Sequence, residues 1–475
     1  MWRHARVTPI APWKFQTAQV AAGAALAAGA GLAVSIGHGS LLLIVAIVAI
    51  GSAALLRWPG FTILALLLIS EEVDPAGGFG TGGSGLLFIG HQLYFTTFSR
   101  VSLLTLVAIV ACARVAVVDP PGHLRSISLF LVTLMGFWYV AVVWLGGAAL
   151  TSAINQEARF ALLFVLAFVV GARAGQEEDW TARCITLMQW GLSVMALIGV
   201  YLAASGQGQA QTGLNIIFYD SALGAVAGAV VLAVVLAPRA ARTRRVWWLG
   251  GAALLVVVLS SRRNVWAALI VALLVGLVVA RDRARLVLRG SIGLAVVLAA
   301  LAAFAPSVLT EIGHQLSAIW QASQGSAADT STQGHLSDIS TGVTAVLAHP
   351  VGGVGASGHL AGLVVQTPGP LYIHNQILES WLRFGIVGGV LVIAVLASLA
   401  ARGVSALRRH SDDVSISWAA LLLIMAPATM MTAPFLTETQ RWPALMGFAA
   451  GVLAARRSVV TPTLSDPASA LRTHA

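Results

Sequence analysis

Two adjacent arginines, Arg262 and Arg263, lie in a very short turn between two apolar stretches of the chain. Neighbouring guanidinium groups repel each other and lose hydration at a membrane boundary, so the pair is costly unless an anion is present. The planar fork of arginine matches phosphate oxygens in bidentate fashion. The pair therefore predicts a phosphate or diphosphate site, with contact to lipid headgroups as the alternative.

A glycine-rich segment, Pro-Val-Gly-Gly-Val-Gly at residues 350–355, follows further along the chain. Glycines permit tight turns and close backbone approach, and successive backbone amides can form a nest for an anion. Gly353 and Gly355 are therefore candidates for a substrate loop. Glycine is common in loops, so an ordinary turn is the alternative.

A polar segment begins at His374 and Asn375 and continues to Glu379, where an apolar stretch begins. A histidine at this position can accept a proton or donate a hydrogen bond to a phosphate. His374 and Glu379 are candidate catalytic residues, and Asn375 is a candidate for substrate contact. The alternative for the histidine is a helix-capping residue at the membrane interface.

The composition shows what kind of scaffold must position these side chains. Of the 475 residues, 58% are hydrophobic and only 10% are charged, whereas a soluble domain carries about 25% charged residues. Lipid must therefore be the solvent for most of the chain. The net charge of +10 is explained by the excess of basic residues in the cytoplasmic loops of membrane proteins, and no nucleic-acid partner is expected.

The apolar stretches predict an all-α fold, a polytopic transmembrane helical bundle. A span needs roughly 20 apolar residues, and by that measure the chain holds about 12–14 spans. The candidates are residues 17–36, 39–56, 59–70, 101–118, 127–147, 158–174, 184–204, 218–237, 246–261, 263–280, 289–305, 384–401, 415–433 and 442–455.

These spans divide the chain into five parts. We predict a cytoplasmic N-terminus at 1–16, a transmembrane bundle at 17–305, a large extracytoplasmic loop at 306–383, C-terminal transmembrane helices at 384–457 and a disordered cytoplasmic tail at 458–475. The large loop has two stretches with helical apolar spacing, which predict helices lying on the membrane surface or packing over the spans. Their apolar residues are Val308, Leu309, Ile312, Leu316, Ile319 and Trp320, and then Leu336, Ile339, Val343, Val346 and Leu347.

Basic residues alternate between the two sides of this predicted topology and place both termini in the cytoplasm. Six arginines fall on the outer side against that bias: Arg100, Arg159, Arg262, Arg263, Arg383 and Arg441. An arginine in such a place either extends to lipid phosphates or binds another anion.

The motifs, taken in order, resemble those of the O-antigen ligase and polysaccharide polymerase family. They are Ser261-Arg262, the glycine-rich segment at 350–355, and His374-Asn375 through Leu378 to Gly385. The resemblance covers roughly residues 245–400. It implies an inverting, metal-independent glycosyltransferase of the inner (cytoplasmic) membrane, with no cofactor. Such an enzyme takes a glycan from an undecaprenyl diphosphate carrier on the outer face and transfers it to a sugar hydroxyl.

The resemblance also implies roles for individual residues. The arginine of the family maps to Arg262 or Arg263, and its histidine maps to His374. Fixed cations at the departing diphosphate stabilise the transition state more than the ground state, and Arg159 is a third candidate for that role. We predict His374 as the base for the acceptor hydroxyl, and Glu379 and His335 are the second-ranked candidates for that role.

The chain departs from the ligase pattern at one position. Ligases carry a second arginine in the large loop, whereas residues 331–336 here read Ser-Thr-Gln-Gly-His-Leu. This form is similar to the polymerase branch and makes His335 a candidate. The expected partners are the lipid-linked glycan donor, a glycan acceptor, the lipid bilayer and a chain-length regulator.

Two other functions remain open. A transporter, such as a lipid-linked oligosaccharide flippase, usually carries ionisable residues near mid-membrane and is often built from repeated halves. The predicted spans are almost free of mid-span charge, and one large asymmetric loop lies outside, so both features count against transport. A peptidoglycan-type glycosyltransferase would be distinguished by a muropeptide product.

Overall fold

The computed structural model describes the C-terminal half of the chain most completely. Its continuous segments are residues 190–201, 221–237, 243–260, 262–279, 330–355, 373–410, 413–432 and 441–460, with two strand pairs and single residues elsewhere. The predicted cytoplasmic N-terminus, the first spans and Arg159 lie outside the described residues. So do most of the first amphipathic stretch and the tail after Val460.

Eight helices account for nearly all of the described residues. They are α1 (Trp190–Tyr201), α2 (Ser221–Leu236), α3 (Arg244–Ser260), α4 (Arg263–Val279), α5 (Thr330–Ala348), α6 (Gln376–His410), α7 (Val414–Met430) and α8 (Arg441–Val460). Two short antiparallel pairs complete the described elements: β1 (Thr97–Phe98) with β2 (Val101–Ser102), and β3 (Gln209–Gln211) with β4 (Leu214–Ile216). The predicted helical class is confirmed, and every one of these helices except α5 overlaps a predicted span.

Helix α7 forms the centre of the helical cluster. Every residue from Ile416 to Ala426 is buried, which is typical of a helix that is apolar on all sides and enclosed by others. It packs against α2, α4, α6 and α8. The Asp413 carboxylate caps its first turn by accepting hydrogen bonds from the backbone of Ser415 and Ile416.

Glycines set the closest helix contacts. A Cβ on Gly403 of α6 would lie 2.6 Å from the carbonyl oxygen of Ala420 in α7. On α8, a Cβ on Gly447 or Gly451 would lie 2.1 Å from the carbonyl oxygen of Phe168 or Ala172. The four-residue spacing of Gly447 and Gly451 is the small-residue pattern that lets helix backbones approach closely in membranes.

One helix in the described part of the chain, Gln376–His410, is long and apolar enough to cross a membrane. Shorter apolar helices are Trp190–Tyr201, Ser221–Leu236, Arg263–Val279, Val414–Met430 and Trp442–Ala455. Large aliphatic side chains are exposed on α4 and α6, among them Leu274, Val278 and Val390. The number of spans and their polytopic arrangement stay predictions.

Helix α5 confirms a helix in the large loop but corrects the face on which it packs. The residues buried against the rest of the protein are Gly334, Asp338, Gly342 and Ala345. On the predicted apolar face, Val343 is 42% exposed and Leu347 is 75% exposed. The small residues on the buried face allow α5 to lie close to α6. A pattern search for large apolar residues does not detect such a face. Val346 of the predicted face packs against the cluster that joins α5 to α6, and a placement of α5 on the membrane surface stays a prediction.

Helix α6 begins at Gln376, before the predicted span at 384–401. Its first turns fall within the stretch that was predicted as the large loop, 306–383. The helix is interrupted at Gly385, which has φ 67° and ψ −165°. Residues 376–384 form an outer segment, and residues 386–410 carry the long apolar part. Helix α8 runs to Val460, so its last three residues, 458–460, fall within the predicted tail.

Candidate functional site

The turn between α3 and α4 presents the two predicted arginines. Helix α3 ends at Ser260, which is fully buried and donates from Oγ to the carbonyl oxygen of Val257 at 2.8 Å. The carbonyl oxygen of Arg262 accepts a hydrogen bond from the amide of Trp266 at 3.1 Å and so starts α4. Arg262 and Arg263 are both partly exposed. Their charges therefore lie at a helix N-terminus, beside amides that also favour an anion.

A histidine–aspartate pair joins α5 to the start of α6. The Nδ1 atom of His374 lies 2.6 Å from the Oδ2 atom of Asp338. The Asp338 side chain is completely buried, and 17% of the His374 side chain is exposed. A buried carboxylate that contacts one ring nitrogen leaves the other nitrogen available for a substrate.

His335 packs against the same imidazole. The rings of His335 and His374 meet edge to face, with centroids 3.9 Å apart and planes at 75°. The Nδ1 atom of His335 is buried and has no hydrogen-bond partner among the described residues. Two of the three predicted catalytic residues are thus in direct contact.

The environment of His335 links the histidines to the arginine turn. Burial, followed by the neighbouring His374, lowers the pKa of His335 to about 4, against an opposing effect of Asp338. The positive charges of Arg263 and Arg262 lower the pKa further. His335 is therefore uncharged at neutral pH. Both arginines lie close enough to act on it, although more than 70 positions of sequence separate them.

A small hydrophobic cluster holds α5 on the start of α6. Its buried members are Ala345, Ile373 and Leu382, and Leu378 packs against them. Gly342 of α5 makes room for this cluster, since a Cβ there would lie 3.2 Å from Ile373 and 3.4 Å from Leu378. Apolar contacts on both sides of His374 therefore fix its backbone.

Asn375 caps α6. Its Oδ1 atom accepts hydrogen bonds from the amides of Ile377 and Leu378, each at 3.0 Å. Its Nδ2 atom donates to the carbonyl oxygen of Met431, at the end of α7, at 3.2 Å. A substrate contact of Asn375 stays a prediction. The structure uses this side chain to join two helix ends beside His374.

The glycine-rich segment packs against the outer part of α6. The amides of Val354 and Gly355 both donate to the carbonyl oxygen of Leu382, at 2.8 and 3.1 Å, and the amide of Gly353 donates to His349. The Trp381 indole donates to the carbonyl oxygen of Pro350 at 2.8 Å. These amides, which formed the predicted anion nest, are engaged within the protein.

Two glycines make this packing possible. A Cβ on Gly353, which has φ 66°, would lie 2.3 Å from the carbonyl oxygen of Leu382. A Cβ on Gly385 would lie 2.1 Å from the carbonyl oxygen of Val351, which accepts a hydrogen bond from the amide of Ile386. The break in α6 thus frees backbone groups that the glycine-rich segment then satisfies.

Glu379 forms a buried ion pair with Arg383, one helical turn further along α6. The Glu379 Oε1 atom lies 2.7 Å from the Arg383 Nη2 atom, and their side chains are 0% and 2% exposed. Arg383, one of the six arginines predicted on the outer side, therefore contacts an anionic group of the protein itself and is shielded from solvent. The pair gives Glu379 a structural role, and a catalytic role for this carboxylate stays a prediction.

Breaking this ion pair from one side is expected to destabilise the protein. Glu379→Gln leaves the buried charge of Arg383 without its carboxylate, which costs about 3–5 kcal/mol. The double variant Glu379→Gln/Arg383→Gln removes both charges and should recover much of that loss. The measurement is thermal unfolding of the purified protein in detergent.

Arg409→Gln, which changes an exposed arginine on the same helix, is the control and should leave the unfolding temperature unchanged. A double variant that folds and retains transfer activity would remove Glu379 from the chemistry. A double variant that folds but is inactive would favour a catalytic carboxylate.

The structure therefore brings together most of the predicted site. His335 and His374 are in contact, the charges of Arg262 and Arg263 act on His335, and Arg159 lies outside the described residues. Asp338 was missed by the sequence analysis. Its signal was available, because residues three apart share one face of a helix and Asp338 follows His335 by three.

Comparison with known proteins gives one family match. Residues 248–393, about a third of the chain, match the family model described as O-antigen ligase. The match confirms the resemblance found in the motifs and includes all of the residues grouped above. It supports an enzyme of the general ligase and polymerase kind, which acts on lipid-linked glycans and glycan acceptors at a membrane. No curated protein matches the chain.

Proposed function

We propose that this chain, whose residues 248–393 belong to the O-antigen ligase family, is a surface polysaccharide polymerase. It would transfer a glycan from undecaprenyl diphosphate to a sugar hydroxyl on the outer face of the inner membrane, with inversion at the anomeric carbon. The observation that carries the proposal is the meeting of two cations with a base. Arg262 and Arg263 act electrostatically on His335, and His335 contacts His374.

The arginine turn suits the leaving group. No nucleotide sugar is available outside the cell, so the donor must supply its own leaving group, and a lipid diphosphate does so. Negative charge grows on the phosphate oxygen as the glycosidic bond breaks. Guanidinium groups fixed at that position lower the barrier because they interact more strongly with the transition state than with the bound donor.

The histidine pair suits the acceptor. In the proposed step the acceptor hydroxyl gives its proton to Nε2 of His374, and its oxygen forms a bond to the anomeric carbon. The bond from that carbon to the diphosphate oxygen breaks, and its electron pair leaves with the lipid diphosphate, beside Arg262 and Arg263. His335 is uncharged and can hydrogen-bond to a sugar hydroxyl without repelling the imidazolium that forms on His374.

The polymerase branch is supported by the content of α5. This helix, Thr330–Ala348, contains no arginine, whereas the ligase pattern has a second arginine in this loop. The polar side chains that it directs toward His374 are His335 and Asp338. We therefore do not propose that a second arginine from this loop binds the diphosphate together with the arginine turn.

Transport of a lipid-linked oligosaccharide is the alternative. A transport route needs polar or ionisable groups in the middle of the membrane. The central helix α7 has no charged residue, and the buried ion pair of Glu379 and Arg383 lies in the outer segment of α6, before the break at Gly385. Both features count against transport.

The test is turnover by the purified protein in lipid nanodiscs with undecaprenyl-diphosphate-linked repeat units. We expect a ladder of lipid-linked polymer with a metal chelator present and without nucleotide sugar. Transfer only to a lipid A core would indicate a ligase, and a muropeptide product would indicate the peptidoglycan class. Donor that stays at its original size, but changes leaflet when the protein is placed in vesicles, would indicate a transporter.

A further inference from the structure

We infer that Asp338 is a positioning residue that holds His374 in the tautomer with the hydrogen on Nδ1 and the lone pair, which takes the acceptor's proton, on Nε2. The inference rests on the proposed function, since it assigns a task to the contact of the proposed base. It extends that function to a residue that none of the motifs contains.

The contact itself sets the tautomer. An ionised carboxylate only accepts hydrogen bonds, so in the inferred state the Nδ1 atom of His374, 2.6 Å from Asp338, carries the hydrogen. The remaining lone pair of a neutral imidazole is then on Nε2. The side chain of Asp338 is completely buried, so water does not compete for this hydrogen bond.

In the part of the chain that the structure describes, Asp338 is the negatively charged group in contact with the His374 ring. From α5, His335 faces the ring and is uncharged at neutral pH. From the α3–α4 turn, Arg262 and Arg263 add positive charge to this region. On α6 itself, Glu379 is engaged with Arg383. When His374 takes up a proton, the carboxylate of Asp338 is placed to stabilise the imidazolium.

The fold does not depend on this contact alone. Helix α5 is also held to α6 by the cluster of Ala345, Ile373 and Leu382, and by the hydrogen bonds of Val354 and Gly355 to Leu382. Asp338→Asn has nearly the same shape and is expected to fold. A buried carboxylate is costly unless it is paired. The position of Asp338 beside His374 therefore favours a role in positioning that histidine over a role in stability.

The experiment compares Asp338→Asn with His374→Ala and with Ser337→Asn, which changes an exposed neighbour on α5. With the lipid-linked donor, we expect Asp338→Asn to lower kcat about 10²-fold or more, with little change in KM. Ser337→Asn should behave as wild type. A merely structural role would lower the unfolding temperature and the amount of active protein, and leave kcat per folded molecule unchanged.

A second readout reports the tautomer directly. In lipid, ¹⁵N spectra of histidine-labelled protein should show His374 protonated at Nδ1, with its signals assigned by their loss in His374→Ala. In Asp338→Asn the amide can donate to Nδ1, so the hydrogen should move to Nε2. Asp338→Glu retains a carboxylate, so His374 should keep its Nδ1–H signal in this variant. Asp338→Glu therefore provides the readout if Asp338→Asn fails to fold.

The outcomes separate the inference from the function on which it rests. If His374→Ala is inactive and Asp338→Asn turns over at the wild-type rate, Asp338 is not a positioning residue and the proposed base stands. If His374→Ala itself turns over normally, the proposed base is wrong. For Asp338→Glu, loss of the Nδ1–H signal with unchanged kcat would overturn the inference.

Discussion

His374→Ala is expected to lower the rate of glycan transfer by about 10²- to 10⁴-fold, the usual contribution of a positioned general base. The substitution removes the side chain that contacts both Asp338 and His335, while the backbone at residue 374 stays anchored by Ile373 and by the cap of Asn375. The KM for the lipid-linked donor should change little. The measurement is the initial rate in nanodiscs, per folded molecule.

His349→Ala is the matched control. This histidine is exposed at the end of α5, and its described hydrogen bonds are those of its backbone, from its amide to Ala345 and to its carbonyl from Gly353. We expect wild-type activity from this variant. A His374→Ala enzyme that turns over normally in the same preparation would remove His374 from the chemistry.

Arg262→Ala and Arg263→Ala are the second pair of substitutions with a large expected effect. Substitution of the arginine that contacts the diphosphate should lower kcat/KM by about 10²- to 10³-fold. Loss of other groups that stabilise developing negative charge has an effect of this size. Arg→Lys at the same position should lose less, because it keeps the charge but lacks the bidentate fork. Kinetics of the single variants will show which arginine is in contact.

Arg408→Ala, at an exposed position near the end of α6, controls for the loss of one positive charge. It should leave kcat/KM unchanged. The double variant Arg262→Ala/Arg263→Ala should be inactive at normal protein levels. Polymer output that survives both single substitutions and the double one would contradict the diphosphate site.

The sequence predicted the helices and the order of the motifs well, because both depend on local patterns. Apolar length located α2, α3, α4 and α7 to within a few residues, since lipid or close packing on all sides demands continuous apolar stretches. The motif residues Arg262 and His374 were identified by type and placement. Their meeting through His335 was not predicted, because it depends on how α5 lies across the other helices.

The errors in prediction have physical causes. Asp338 lies between Ser337 and Ile339 on a helix with polar residues all along it, and a lone acid in such a pattern normally faces water. Helix α5 packs through glycine and alanine, so its largest apolar residues do not mark its buried face. Glu379 and Arg383 have the four-residue spacing of an ion pair, but the predicted span began at residue 384 and left both residues in a loop.

The packing of the glycine-rich segment against the break in α6 fixes the number of residues that each motif can contain. Val351 contacts the backbone beyond Gly385 while Val354 and Gly355 contact Leu382, so adding or removing a residue within either partner would misalign the other. From Asn375 to Gly385, the helix rises roughly 15 Å at about 1.5 Å per residue. That fixed rise sets the height of His374 above the apolar part of α6.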